Sequence, residues 1–261
     1  MQVLNPRFNI DSFFGAVASA DETALLLDYD GTLAPFRPER DKAIPYDGIR
    51  ERLDHLNRLS ECRLVIISGR ATAELVPLLG MERQPEIWGC HGGERLLPDG
   101  TITITSLSDS VRAALTKAEK WAIRHNFAQQ FERKPTGAAF HWRGLPDEQA
   151  RAIRSEVESR WAAEAPKHGL MLCEFDGGLE LRAAGIGKGH AVTEIIDRLT
   201  DSTPVAYLGD DKTDEDAFAA LGSRGLSTLV RPELRETKAD LWIQPPDELL
   251  TFLDRWIADR S

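Results

Sequence analysis

Short apolar runs that stop abruptly at acidic or hydroxyl residues constrain this chain more than any other feature. TALLL, from Thr23 to Leu27, stops at Asp28; RLVII, from Arg63 to Ile67, stops at Ser68; VAYL, from Val205 to Leu208, leads into Gly209, Asp210 and Asp211. Nearly unbroken apolar runs of this length suit strands buried on both faces of a sheet. A helical pattern from Asp47 to Ser60 follows the first run, a helix from Gly189 to Leu199 precedes the third, and further strands fit Ser227 to Val230 and Leu241 to Ile243. Strands alternating with helices predict parallel βα units, hence an α/β fold with a doubly wound, mainly parallel sheet. Ligands of such sheets bind beyond the carboxyl ends of the strands. Three of those ends offer Asp28, Ser68 and Asp210.

The middle of the chain has a different rhythm. Asp109 to Asn126 places Val111, Ala114, Leu115 and Ala118 at helical spacing, and extended pieces follow at Phe131 to Lys134 and Ala138 to Trp142. A second amphipathic helix beginning near Asp147 carries Ala150, Ile153 and Val157, before extended pieces at Leu170 to Phe175 and Leu179 to Arg182. This order predicts a small α+β module at residues 109–184, inserted into a core made of residues 1–108 and 185–261.

The net charge of −10 argues against nucleic acid or a membrane surface as the main partner, because both select clustered Lys and Arg. No stretch approaches the length of a membrane-spanning helix. The three cysteines, Cys62, Cys90 and Cys173, are far apart and the six histidines form no HExxH pair, so neither a disulfide framework nor a zinc site is indicated. Reduced thiols in a cytoplasmic protein fit this usage. FFGAVASA, Phe13 to Ala20, ends like a signal-cleavage site; Asp11 beside it and a single upstream Arg7 favour an amphipathic lead-in helix instead.

Asp28-Tyr29-Asp30-Gly31-Thr32 sets two carboxylates two residues apart just past a strand. One can serve as nucleophile and metal ligand while the turn brings the other beside the reacting group; a capped turn explains either Asp taken singly. Past the third apolar run, Asp210, Asp211, Asp214, Glu215 and Asp216 put five carboxylates in seven residues. Such a cluster repels itself unless a cation neutralises it, and hard oxygen ligands point to magnesium rather than zinc. A solvated helix N-terminus is the alternative. Ser68-Gly69-Arg70 adds a hydroxyl and exposed amides, and Lys188, between Gly187 and Gly189 at a helix start, adds a fixed positive charge suited to an anion.

Taken in order, DYDGT, SGR, an isolated Lys and GDDKTDE resemble the four motifs of the haloacid dehalogenase superfamily. DYDGTLAPF, GCHGGE at Gly89 to Glu94, FERK, FHWR, LELR at Leu179 to Arg182 and GDDKTDEDAF resemble the trehalose-6-phosphate phosphatase family across the whole chain. Ala183 and Gly187 stand where that family often has Pro and Asp. The resemblance implies a Rossmann-like core with an inserted cap that closes over a sugar phosphate. It makes Asp28 the nucleophile and a Mg2+ ligand, and gives Asp30 the proton transfers and a backbone carbonyl for the metal. Ser68, Gly69 and Lys188 would hold the phosphoryl group, and Asp210 would complete the metal ligands with Asp211 and Asp214 in support. A functional link to a trehalose-6-phosphate synthase is a further expectation of the same kind.

For the sugar, the candidates are Arg70, His91, Glu132, Lys134, His141, Arg143, Glu180 and Arg182. His141 and Arg143, Glu132 and Lys134, and Glu180 and Arg182 each sit two apart on an expected strand and so share a face. Surface ion pairs look the same in sequence. Trp142 and Trp161 read more readily as core than as sugar platforms. Phosphatases of sucrose phosphate, glucosylglycerol phosphate or mannosylglycerate phosphate would keep the same catalytic motifs, and a non-catalytic phosphosugar sensor could dispense with Asp28 or Asp30.

Overall fold

All five residues of Thr23–Leu27 are buried, and they alternate between two cores. Leu25 and Leu27 pack with one hydrophobic cluster, Ala24 and Leu26 with another. Each fully buried Leu contributes about 1.5–3 kcal/mol relative to exposure, so a strand apolar on both sides is stable only between two helical layers. The computed structural model describes residues 1–37, 39–175 and 177–260. They form two compact units, Met1–Ile102 with Gly187–Ser261, and Thr103–Ile186.

The first unit contains β1 (Gln2–Val3), α1 (Ile10–Ser19), β2 (Thr23–Leu27), α2 (Ile49–Arg58), β3 (Cys62–Ile67), α3 (Thr72–Leu79), β4 (Glu86–Gly89) and β5 (Glu94–Leu96). Within β6 (Ile102–Ile104) the chain passes into the second unit, with α4 (Asp109–Arg124), β7 (Phe131–Arg133), β8 (Gly137–His141), α5 (Asp147–Trp161), β9 (Leu170–Phe175) and β10 (Gly178–Ala183). It returns through α6 (Lys188–Ile196), β11 (Val205–Gly209), α7 (Asp214–Leu221), β12 (Leu226–Val230), β13 (Leu241–Ile243) and α8 (Asp247–Ala258).

The large sheet runs β1-β13-β12-β11-β2-β3-β4-β5-β6, parallel from β13 to β4, with β1 antiparallel to β13 and β5 antiparallel to β4. Helices α1, α2, α3 and α8 supply Phe14, Leu53, Leu75 and Trp256 to one face; α6 and α7 supply Val192, Ile195 and Phe218 to the other. This is the α/β, mainly parallel architecture that the apolar runs predict. Within the sheet, β2 lies between β3 and β11 in parallel register, with Leu27 opposite Ile66 and Leu208. Their carboxyl ends therefore come out side by side.

Some boundaries differ from the sequence pattern for local reasons. Helix α2 starts at Ile49 rather than Asp47 because Gly48 takes φ 82, a left-handed turn that a helix cannot contain. Helix α4 stops at Arg124, and Asn126 takes φ 64 two residues later. The expected lead-in helix is α1, capped by Asn9 Oδ1 accepting from Ser12 N at 2.8 Å. The second compact unit spans Thr103–Ile186, where the sequence pattern places the inserted module at residues 109–184.

In the second unit an antiparallel sheet in the order β7-β8-β10-β9 packs against α4 and α5. Leu115, Phe140, Val157, Leu179 and Leu181 form its core. Trp161 is wholly buried there, and Trp142 packs on the edge of the same cluster. Among the described residues no helix is long and apolar enough to cross a membrane.

Candidate active site

Asp28 leaves β2 with its amide still bonded to Leu208 O at 2.9 Å, so the next side chain emerges beside the end of β11. Its carboxylate is 3% exposed. Oδ1 accepts from Lys188 Nζ at 2.6 Å, and Oδ2 accepts from Thr32 Oγ1 at 3.2 Å. The turn that follows is closed by Gly31 N donating to Ala34 O at 2.7 Å. Gly31 has φ 86, and a Cβ there would stand 2.2 Å from Asp210 Oδ2, so only glycine lets the turn pass this close to the second acidic strand end.

Asp214, at the start of α7 and fully buried, organises the other side. Its Oδ1 accepts from Lys188 Nζ at 2.7 Å and from the Tyr207 hydroxyl, and its Oδ2 accepts from the Asp210 and Asp211 amides at 3.1 and 2.9 Å. With both oxygens engaged, Asp214 holds Lys188 and shapes the strand end. Asp28, Asp210 and Asp214 each bring one carboxylate oxygen within 4.8 Å of the others. At an effective dielectric near 20, two charges at such a separation repel by about 3 kcal/mol or more.

One ammonium among three buried carboxylates does not neutralise them, and the proton affinities reflect this. Burial pushes the Asp28 carboxyl up to about 7, with Lys188 opposing and Asp214 and Asp30 adding to the rise. Burial and the neighbouring Asp28, Asp214 and Asp211 charges raise Asp210 well above the usual carboxylate range. Burial works against the Lys188 charge, yet Asp214 and Asp28 hold its pKa above the ordinary value. Asp210 Oδ1 is buried with no hydrogen-bond partner among the described residues. An orphaned carboxylate oxygen in an all-oxygen, over-acidic cluster fits a hard divalent cation and not a thiophilic metal.

Ser68, at the end of β3, is buried, and its loop is tied to the loop after β4. Ser68 O accepts from His91 N at 2.8 Å, Arg70 O accepts from Cys90 N at 2.7 Å, and Ser68 Oγ accepts from Arg70 N at 3.2 Å. Cys90 and His91 both take positive φ, 51 and 55, and the His91 ring covers Gly69 so closely that a Cβ there would be 2.5 Å from Nε2. His91 is thus buried against the expected phosphate loop. Arg70 is 5% exposed and grips Asp30: Nε donates to Oδ2 and Nη2 to Oδ1, both at 2.6 Å, while Nη1 donates to Arg40 O at 2.8 Å.

In the second unit the expected sugar residues occupy one polar face. Alternation puts Phe131, Phe140, Leu179 and Leu181 toward the helices, leaving Glu132, Ala139, Glu180 and Arg182 on the other side, with Glu132 and Glu180 both in register with Ala139. His141 Nε2 lies 2.7 Å from Glu132 Oε2, and Lys134 Nζ lies 3.2 Å from Glu180 Oε1, both of the latter pair buried. Lys134 falls just beyond β7, its amide donating to Gly137 O at 3.0 Å, and its ammonium meets Glu180 on the face that also carries Glu132. One shared-face expectation needs correcting. Arg143 lies past the end of β8, packed against Gly177, because the chain leaves the strand after His141.

Sequence reasoning gave no role to several residues that shape the site. Thr32 supports Asp28, and Tyr207 supports Asp214 from inside β11. Arg235 binds the carbonyls of Asp210 and Asp211, at 2.8 Å for Asp211, and Arg231 approaches Asp210 Oδ2 only to 3.9 Å. Glu94 caps the Thr72 amide at 2.8 Å, fixing the start of α3. Tyr207 was the most legible of these: it is the one hydroxyl in the apolar run VAYL.

Comparison with known proteins points the same way. A sequence model of a family described as Trehalose-phosphatase matches residues 26–240. The chain is similar to a trehalose-phosphate phosphatase of Mycobacterium marinum, 32% identical over 254 residues, covering 91% of this chain and 62% of that protein, so it spans less than two thirds of that relative. It is similar to the trehalose-6-phosphate phosphatase of Escherichia coli K12, 30% identical over 206 residues, covering 77% of this chain and 74% of that one. The C-terminal domain of Candida albicans trehalose-6-phosphate phosphatase shares the fold, with a TM-score of 0.80 over 99% of both chains at 22% identity.

Proposed function

The chain belongs to the trehalose-phosphatase family, and on that premise we propose that it is a magnesium-dependent hydrolase that converts trehalose 6-phosphate to trehalose and inorganic phosphate. The observation that carries this reading is the buried chain Asp28, Lys188, Asp214 beside the orphaned Oδ1 of Asp210. In this reading Asp28, past β2, is the nucleophile, Lys188, at the start of α6, is the phosphate-binding cation, and Asp210, past β11, offers an oxygen to the metal.

In the first step an Asp28 oxygen attacks phosphorus, the bond from phosphorus to the sugar oxygen breaks, and protonated Asp30 gives its proton to that oxygen. In the second step water attacks the aspartyl phosphate, Asp30 takes a proton from the water, and the electron pair of the broken P–O bond returns to Asp28. Lys188 and the Ser68 hydroxyl hold the transferring group, whose catalysis is mainly positioning and charge neutralisation. Asp28, the Asp30 carbonyl and Asp210 are the residues that would hold Mg2+, which when bound supplies the neutralisation that lets a phosphate dianion approach a carboxylate. The polar face carrying Glu132, Lys134, Glu180 and Arg182, together with His141 and Arg143, is assigned to the sugar hydroxyls. A cytoplasmic location belongs to this reading, from the odd number and wide spacing of the three cysteines; a link to a synthase rests on the family resemblance.

Phosphate release from a panel of esters tests the proposal. Trehalose 6-phosphate should give the highest kcat/KM among it, sucrose phosphate, glucosylglycerol phosphate and mannosylglycerate phosphate. Preference for another ester would withdraw the substrate, and release from none, with magnesium present, would leave the phosphosugar sensor.

A further inference from the structure

The Arg70 fork on Asp30 is built rather than incidental. Two parallel N–H donors at 2.6 Å meet the two carboxylate oxygens, and the third arm of the guanidinium is pinned on Arg40 O. The guanidinium also lies 5.7 Å over the Tyr29 ring, and Tyr29 is itself fixed by its hydroxyl on Ala43 O at 2.7 Å. The Arg70 backbone is held on both sides, by Ser68 Oγ and by the Cys90 amide. An exposed ion pair contributes little because both side chains must be immobilised to form it. Here the arginine is immobilised already, and a planar fork fixes the plane of the carboxylate as a single ammonium cannot.

A fork occupying both oxygens suits one form of Asp30, the anion. Asp30 is anionic after it has protonated the departing sugar oxygen, and in that form it must next take a proton from water. We propose that Arg70 is a positioning residue that orients the Asp30 carboxylate as the base of the water step. This rests on the two-step reading above. It replaces a sugar contact by Arg70 with an action through Asp30.

A nitrophenyl phosphate separates the steps, since its leaving group needs no acid and Asp30 then matters only for water. Arg70→Gln and Arg70→Lys should each release nitrophenolate in a burst approaching one equivalent, followed by a steady rate lowered about ten- to a hundredfold, a fraction of what a general base contributes. Acid quenching should trap phosphorylated protein at a higher level than in the unmodified enzyme. Lysine should restore only part of the steady rate, having the charge without the fork. A simple loss of folded protein would shrink burst and steady rate together, and that result, or unchanged phosphoenzyme levels, would overturn the proposal. Asp30→Asn is the control: if it accumulates phosphoenzyme and the Arg70 variants do not, only the Arg70 role falls, and if it too accumulates none, the aspartyl-phosphate reading falls and this inference with it.

Discussion

The Lys188 ammonium sits 2.6 Å from Asp28 Oδ1 and bridges it to Asp214, inside a site where all three side chains are nearly inaccessible to water. Asp28 is therefore a buried carboxylate whose only nearby ammonium among the described residues is shared with a second acid. On the proposed mechanism, Asp28→Asn removes the nucleophile while leaving Lys188 its contact with Asp214. Turnover should vanish with the circular dichroism spectrum retained. Activity near that of the unmodified protein, in a preparation checked by mass spectrometry for residual Asp, would exclude the aspartyl mechanism.

Magnesium and pH should act on the same carboxylates. In the metal-free protein the Asp28 carboxyl lies near 7 against an ordinary value of 3.8, so between those values the folded state binds a proton that the unfolded state does not. The stabilisation is fully present below about 3.8 and is lost as pH rises through about 7. Asp210 shifts in the same direction. Because Mg2+ takes the deprotonated form, the rise in melting temperature on adding it should be larger at about pH 8 than at about pH 5. An equal or larger shift at the lower pH would contradict the assignment of these ligands.

Gly31→Ala should damage the proposed metal site more than the fold. The new methyl would press on Asp210 Oδ2, and a left-handed φ costs a residue with a side chain about 1–2 kcal/mol. Half-maximal activation should require a higher magnesium concentration, read from activity titrations. A lowered melting temperature with an unchanged magnesium requirement would mean that the close approach has no bearing on the ion.

Glu180→Gln tests the second unit. Glu180 is 2% exposed and pairs with Lys134 on the polar face of the small sheet. Losing a hydrogen bond to a charged group costs about 1.5–3 kcal/mol, so kcat/KM for trehalose 6-phosphate should fall roughly ten- to a hundredfold. An aryl phosphate, which has no sugar hydroxyls, should lose much less. Parallel losses on the two substrates would assign Glu180 to folding.

Several of the elements that the sequence left unplaced have weak local signals, although α8 carries Leu249, Phe252, Leu253 and Trp256 at clear helical spacing. Helix α3 carries Pro77 within its eight residues, which interrupts the helical pattern, and β5 and β6 are three residues each, too short for a period to register. The polar face of the small sheet was legible as alternation around Glu180 and Arg182. It was misread at Arg143 because strand ends depend on turns rather than on side-chain rhythm.

What the sequence determined by itself is local: apolar runs that must be buried on both sides, the carboxylates and hydroxyl that follow them, and a lysine between glycines at a helix start. Tertiary structure decided which of these meet. Lys188 and Asp28 are 160 positions apart, joined because β2 pairs with β11 and α6 packs on that face. Arg70 and Asp30 are 40 apart, and nothing in SGR or DYDGT distinguishes an arginine that faces a sugar from one that holds a carboxylate. Periodicity reports which face of an element is buried; pairing order and rotamer direction are set by the packed whole, where each charge takes the partner that burial leaves within reach.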